Sequence, residues 1–206
     1  VSALDAESDA RRFAPATERN RAAILAVLQP LLPDTGCVVE IASGSGQHAV
    51  WFAQQLPALT FQPSDPEAAH RASIAAWIAH SGVTNVLAPV TLDATAQRWS
   101  LPAPPVAVLC INMIHIAPWE AALGLVRNAA TTLPAGGFLY LYGPFRQGGR
   151  HTSESNASFD ADLRARHPAW GVRDLEAVTE AAAGAGFALE AVVTMPANNL
   201  SVVLRR

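Results

Sequence analysis

Residues 37–49 read CVVEIASGSGQHA. Residues 37–42 are apolar apart from Glu40 and have the length of a buried strand. Gly44 and Gly46 then let the backbone turn sharply and approach a ligand without side-chain obstruction. Residues 47–56 resume as a helix, whose N-terminus offers unpaired N–H groups. The spacing Gly44-x-Gly46-x-x-Ala49 fits a dinucleotide fingerprint with alanine in third place. It also fits an ordinary strand-to-helix turn.

Outward from this turn, strands and helices alternate. Upstream, Thr17 is placed to cap a helix over 17–32, preceded by a polar arm over 1–16. Downstream come a strand at 59–63, a helix from Asp65 and Pro66 to 81, and strands at 86–90 and 106–111. A helix over 118–133 and a strand at 137–142 follow. Residues 143–172 break the rhythm, with one short helix over 158–166. A helix over 174–183 leads to strands at 188–194 and 200–204, whose short link 195–199 makes them an antiparallel hairpin. The pattern predicts one α/β domain over 1–206: a Rossmann-like, doubly wound sheet of seven strands, mostly parallel, ending in that hairpin. Such sheets bind ligands at the carboxyl ends of their strands.

Composition narrows the chemistry. Half of the 206 residues are hydrophobic and 15% are charged, which excludes a disordered chain. The net charge of −3 gives no support for nucleic-acid binding. All fourteen basic residues are arginine. The missing lysine excludes a P-loop, a Schiff base to pyridoxal phosphate and a Tyr-x-x-x-Lys oxidoreductase pair. Cys37 and Cys110 lie in apolar runs and read as buried thiols, and the six histidines show no metal-ligand spacing. No run is long and apolar enough for a membrane span. Asp5, Glu7 and Asp9 make the start unlike a secretory signal, so a cytoplasmic protein is expected, of oligomeric state the residues leave open.

Two carboxylates strengthen the glycine turn. Glu40 precedes it, and Asp65 lies nineteen positions past the second glycine, where an acid can accept hydrogen bonds from ribose hydroxyls. Asp65 also suits a helix cap, and Glu40 a buried acceptor for nearby N–H groups. His115 sits just past the strand at 106–111, where an imidazole could take a proton from an acceptor or, instead, pack beneath the next helix. Residues 143–172 have the character of a lid, with Gly143, Gly148 and Gly149 as hinges and Arg146, Arg150, His151, Ser153, Glu154 and Asn156 as polar groups. They also suit a solvated loop. Among the tryptophans only Trp119 lies near enough to His115 to sit beside a cation.

An acid ending the first strand, a Gly-x-Gly turn and an acid after the second strand resemble a class I S-adenosylmethionine-dependent methyltransferase. The closer resemblance is to the small family that includes methyltransferase-like protein 26. It is carried by ATERNR at 16–21, residues 40–48, QPSD at 62–65, CINMIHI at 110–116 and GPF at 143–145. TSESN at 152–156 with Phe159 and Asp160, WGVRD at 170–174 and MPANNL at 195–200 complete it. Ala42 stands where the general pattern has glycine. The resemblance implies S-adenosylmethionine as cofactor and a small-molecule methyl acceptor. It implies that Gly44 and Gly46 pass under the methionine part, with Glu40 ahead of them, and that Asp65 holds the ribose. Asp93 would reach the adenine amino group, Asn112 the methionine end or the acceptor, and Arg19 and Asn20 would cover the cofactor. His115 and Glu154 are the candidates for work on the acceptor. A nicotinamide-dependent oxidoreductase and a non-catalytic cofactor-binding module are the alternatives.

Overall fold

The computed structural model describes residues 10–206. Residues 1–9 of the expected arm lie outside the described residues. Residues 10–14 are tied down: Arg12 N–H donates to Ser73 Oγ at 2.8 Å, Trp77 Nε1–H to the Arg12 carbonyl at 2.9 Å, and Ala14 N–H to Gln47 Oε1 at 2.6 Å. Helix α1 (Pro15–Leu28) starts two residues before Thr17, because Pro15 presets the helical φ and has no N–H to lose.

Strand β1 (Gly36–Ile41), helix α2 (Gln47–Gln55), strand β2 (Leu59–Pro63) and helix α3 (Ala68–Ser81) follow. Strand β3 (Ala107–Ile111), helix α4 (Trp119–Thr132) and strand β4 (Phe138–Gly143) complete the parallel half. The segment expected to be irregular holds β5 (Phe145–Gln147), β6 (Arg150–His151) and α5 (Glu154–Arg166), then β7 (Arg173–Asp174). Helix α6 (Leu175–Gly184) and strands β8 (Ala188–Met195) and β9 (Asn199–Arg205) close the chain. The main sheet has the order β2-β1-β3-β4-β9-β8, parallel through β4, with β9 antiparallel to β4 and β8 antiparallel to β9. The expected C-terminal hairpin is therefore present. A second sheet, β6-β5-β7, is built from the insertion.

The seventh strand expected at 86–90 is only bridged to β2, through Phe61 with Val86 and Ser64 with Val90. The sequence explains why. Pro63 and Pro89 both lack an N–H, so the pairing that should continue past Leu87 loses its donors. The chain slips by one residue, and Val90 N–H donates to the Pro63 carbonyl at 3.2 Å instead. The Gln62 amide spans the gap, donating to the carbonyls of Pro63 and Ala88 at 3.0 and 2.8 Å.

Alternating side chains split the core into two layers. Val38, Leu109, Tyr140 and Val203 pack with Ile24 and Leu28 of α1 and Phe52 of α2. Val39, Val108, Leu139 and Leu204 pack with Leu125 and Ala129 of α4 and Val178 of α6. Helices on both faces leave the carboxyl ends of β1 to β4 as the place where side chains converge. Among the described residues no helix is long and apolar enough to cross a membrane.

Candidate functional site

The glycine turn is welded to the end of β2. Gly44 takes φ +56°, and its N–H donates to Asp65 Oδ2 at 3.0 Å. Asp65 Oδ1 accepts from Glu67 N–H at 2.9 Å and lies 3.1 Å from His70 Nδ1. Because Asp65 caps this turn, α3 begins at Ala68 rather than at the expected Asp65–Pro66. Ser43 N–H donates to the Ser64 carbonyl at 2.8 Å, and Ser64 Oγ to the Glu40 carbonyl at 2.7 Å. Ala42 has φ +55°, the left-handed region, at a strain of roughly 1 kcal/mol for a residue with a Cβ.

The two glycines differ. A Cβ on Gly44 would meet no atom within 4 Å, whereas one on Gly46 would lie 2.8 Å from the Ile74 Cα of α3. Gly44 is on a cavity wall, and Gly46 exists to let α2 and α3 approach. Glu40 lies beneath the turn. Burial, and after it the Asp65 charge, pushes its carboxyl up to about 8, and its Oε2 has no hydrogen-bond partner among the described residues.

Gly44 and Asp65 line a cavity of about 360 Å³ together with Ala42, Asp93, Met113 and Pro118. Leu92, Ile111 and Ile116 make much of its wall apolar. Asp93 is held by its own loop: Oδ1 accepts from Thr95 N–H and Oγ1, each at 2.7 Å, and the Asp93 carbonyl accepts from Trp99 Nε1–H at 2.9 Å. Among the described residues its Oδ2 takes no bond. Gly124 of α4 fixes how near this loop lies, since a Cβ there would be 2.1 Å from the Ala94 carbonyl oxygen. Sequence reading missed Gly124; a glycine in mid-helix was the available signal. The volume and the apolar walls with a few polar groups suit a nucleoside-sized ligand. Carboxylates at Asp65 and Asp93 on its wall suit hydroxyl and amino donors.

A second cavity, of about 530 Å³, also reaches the residues that follow β3. Ile111 and Met113 face the first cavity, and Asn112, at φ +65°, lines the second. Its wall includes Arg19, Asn20, Tyr142, Asn156 and Phe159. Asn20 Oδ1 lies 2.8 Å from His48 Nε2. Burial and Arg21 hold that imidazole down at about 4, so it is neutral. Arg19 and Asn20, expected over the cofactor, thus stand on the second cavity.

His115 is placed elsewhere than expected. It is completely buried, neither ring nitrogen has a hydrogen-bond partner among the described residues, and burial drives it down to about 3. Its ring packs edge-on against Phe145 and close under Gly143, where a Cβ would lie 2.5 Å from Nε2. It lines neither cavity, so it meets no acceptor in this arrangement. Glu154 is exposed in the first turn of α5, beside the wall formed by Ser155, Asn156 and Phe159 but not part of it. Trp119 is occupied by the Arg173 guanidinium, 5.9 Å from the ring centre. No cluster able to hold a metal ion occurs among the described residues. Cys37 and Cys110 are unpaired, and burial pushes the Cys110 thiol up to about 12.

The family model described as "Protein of unknown function (DUF938)" matches residues 11–206. The chain belongs to the DUF938 family. Solved structures give the DUF938 chain its fold relatives. An O-methyltransferase family protein from Burkholderia thailandensis is 16% identical with a TM-score of 0.73, over 93% of this chain and 59% of that one. An O-methyltransferase family 2 protein from Planctomyces limnophilus, in complex with apigenin, is 16% identical with a TM-score of 0.73, over 98% and 63%. Human N-acetylserotonin methyltransferase, in complex with S-adenosylmethionine, is 12% identical with a TM-score of 0.76, over 93% and 52%. The DUF938 chain therefore has the α/β fold of these methyltransferases and spans less than two thirds of their length.

Proposed function

We propose that the chain transfers a methyl group from S-adenosylmethionine to a small-molecule acceptor. The observation that carries this reading is the hydrogen bond from Gly44 N–H to Asp65 Oδ2, on the wall of a nucleoside-sized cavity that Asp93 also lines. Within the class, the motif set favours kinship with the family that includes methyltransferase-like protein 26.

The residues present fit the cofactor. Gly44 offers a wall with no side chain, and the lone pairs left on Asp65 can accept from the ribose hydroxyls. Asp93, on the same wall as Leu92 and Met113, would accept from the adenine amino group. Glu40 holds an orphaned oxygen beneath the glycine turn, and a cationic ligand bound over that turn would favour its ionised form. Bound S-adenosylmethionine supplies an electrophilic methyl on a sulfonium. Asn112 lines the second cavity while its neighbours Ile111 and Met113 line the first, so an acceptor in the second would approach the cofactor past the end of β3. The segment 143–172 with Glu154 serves as a cover that limits water, and His115 acts through packing, holding the Asn112–Gly143 corner. We place the chain in the cytoplasm.

Calorimetric titration with S-adenosylmethionine, S-adenosylhomocysteine and NAD tests the reading. Micromolar binding of the first two, lost in Asp65→Ala by at least a hundredfold, is expected. Binding of NAD alone would assign the turn to an oxidoreductase. Binding of the first two with no transfer to any acceptor would leave a cofactor-binding module.

A further inference from the structure

We propose that the acceptor is a small carboxylate, which leaves as its methyl ester; this rests on the methyltransferase reading above. The second cavity is furnished for an anion. Arg19 stands on its wall with no ion-pair or hydrogen-bond partner among the described residues. A guanidinium presents a planar fork that matches a carboxylate through two parallel bonds. Tyr142 OH accepts from Asn199 Nδ2 at 3.1 Å, which leaves its own proton to donate, and burial keeps the phenol protonated. The Asn112 amide nitrogen takes no bond among the described residues and adds a donor on the side of this wall nearest β3. Phe159, 39% exposed, with Pro144 and Pro196, gives the remaining wall an apolar character that suits the body of an organic acid.

The same wall lacks a proton acceptor strong enough for other nucleophiles. Among the described residues it carries no aspartate, glutamate, histidine or cysteine, and the chain has no lysine. Glu154 is off the wall, and His115 is sealed behind Gly143. Alcohols and ammonium groups must lose a proton before or during attack, which calls for a positioned base. Thiols and amines have ordinary pKa values of about 8.5 and 10, while carboxyl groups lie near 4 and are ionised throughout the neutral range. A carboxylate needs no base.

The step balances without a proton transfer. A carboxylate oxygen forms the O–CH3 bond as the C–S bond breaks, and that electron pair stays on sulfur. One negative and one positive charge disappear together. Such a loss of charge is favoured in an apolar, water-poor cavity over bulk water. The neutral ester no longer pairs with Arg19, so the product is released.

The test uses the full chain with S-adenosylmethionine labelled in its methyl group and a desalted small-molecule extract of the cells that make the protein. Mild alkali frees methyl esters as volatile methanol and leaves methyl ethers, amines and thioethers in place. The expected result is that most transferred label becomes volatile. Arg19→Met should lower that transfer at least tenfold while the calorimetric affinity for S-adenosylmethionine stays within twofold, and Arg19→Lys should fall between the two. Label that stays non-volatile would overturn the carboxylate and leave the methyltransferase reading intact. A tenfold loss of cofactor affinity in Arg19→Met would assign the fork to the cofactor's own carboxylate and overturn the proposal. Tight cofactor binding without any transfer would also overturn it. Failure to bind S-adenosylmethionine at all would overturn the earlier reading as well.

Discussion

Three glycines do three different jobs, and alanine substitution separates them. Gly44→Ala forces a Cβ into the left-handed region at about 1–2 kcal/mol and projects it into the first cavity. Cofactor affinity should fall by at least tenfold, while cooperative unfolding in urea is retained. Gly46→Ala drives the new carbon into the Ile74 backbone, so about 3 kcal/mol of stability should vanish before any ligand is added. Gly124→Ala sets propensity against packing. Helix propensity alone predicts a gain of about 1 kcal/mol. The Ala94 carbonyl 2.1 Å from the added carbon predicts the reverse, with the Asp93 loop displaced and cofactor affinity lowered. A more stable Gly124→Ala protein with unchanged affinity would show that α4 does not fix that loop.

At the level of elements, the glycine turn, both flanking strands and Asp65 were readable because their signals are local: an apolar run, two glycines and an acid at a set distance. The edge segment 86–90 was misread because its partner matters more than its own apolar pattern. Only the meeting of Pro63 with Pro89 reveals the missing donors. Helix α5 was read short for the opposite reason, since its inward face is mostly polar. Asn156, Asp160 and Leu163 are its buried residues, and apolar periodicity cannot register the first two. Asp160 anchors the helix by accepting from Val172 N–H at 2.7 Å and Arg164 Nε at 3.0 Å, with His151 Nε2 3.4 Å away. Burial pulls its pKa up, but these donors win and hold it below the ordinary value. Asp160→Ala should cost about 2 kcal/mol. Amide exchange should accelerate first across 150–173, and uniform exchange throughout the chain would refute this local anchoring. The position of His115 was equally illegible. Its place in the chain suggests reactivity, and only the packing of Phe145 and Gly143 around it shows burial.

For the whole molecule, three buried groups set the pH dependence of the ligand-free fold. His48 and His115 drop from 6.5 to about 4 and about 3. Below pH 6.5 the unfolded chain takes protons these rings refuse, so stability falls on acidification. Glu40 rises from 4.5 to about 8, so the folded chain keeps a proton the unfolded one has lost, and stability falls as pH rises through that window. Two histidines outweigh one glutamate between pH 4.5 and 6.5, and Glu40 acts alone of the three from 6.5 to 8. The melting temperature of the ligand-free protein should therefore peak near pH 6.5. Glu40→Gln should flatten the alkaline side and steepen the acid side between pH 4.5 and 6.5, where the glutamate no longer opposes the histidines. An unchanged decline above pH 6.5 in that variant would remove Glu40 as its cause.

The proline pair beyond β2 reaches further than the local break in pairing. A sheet border with regular donors and acceptors is a template on which another chain can grow. On one flank the slipped segment 86–90 offers Pro89, which has no N–H, and on the other β8 is irregular between Leu189 and Ala191. Neither flank presents an unbroken ladder. A chain with half of its residues hydrophobic is thereby protected against fibrous self-association at both margins of its sheet.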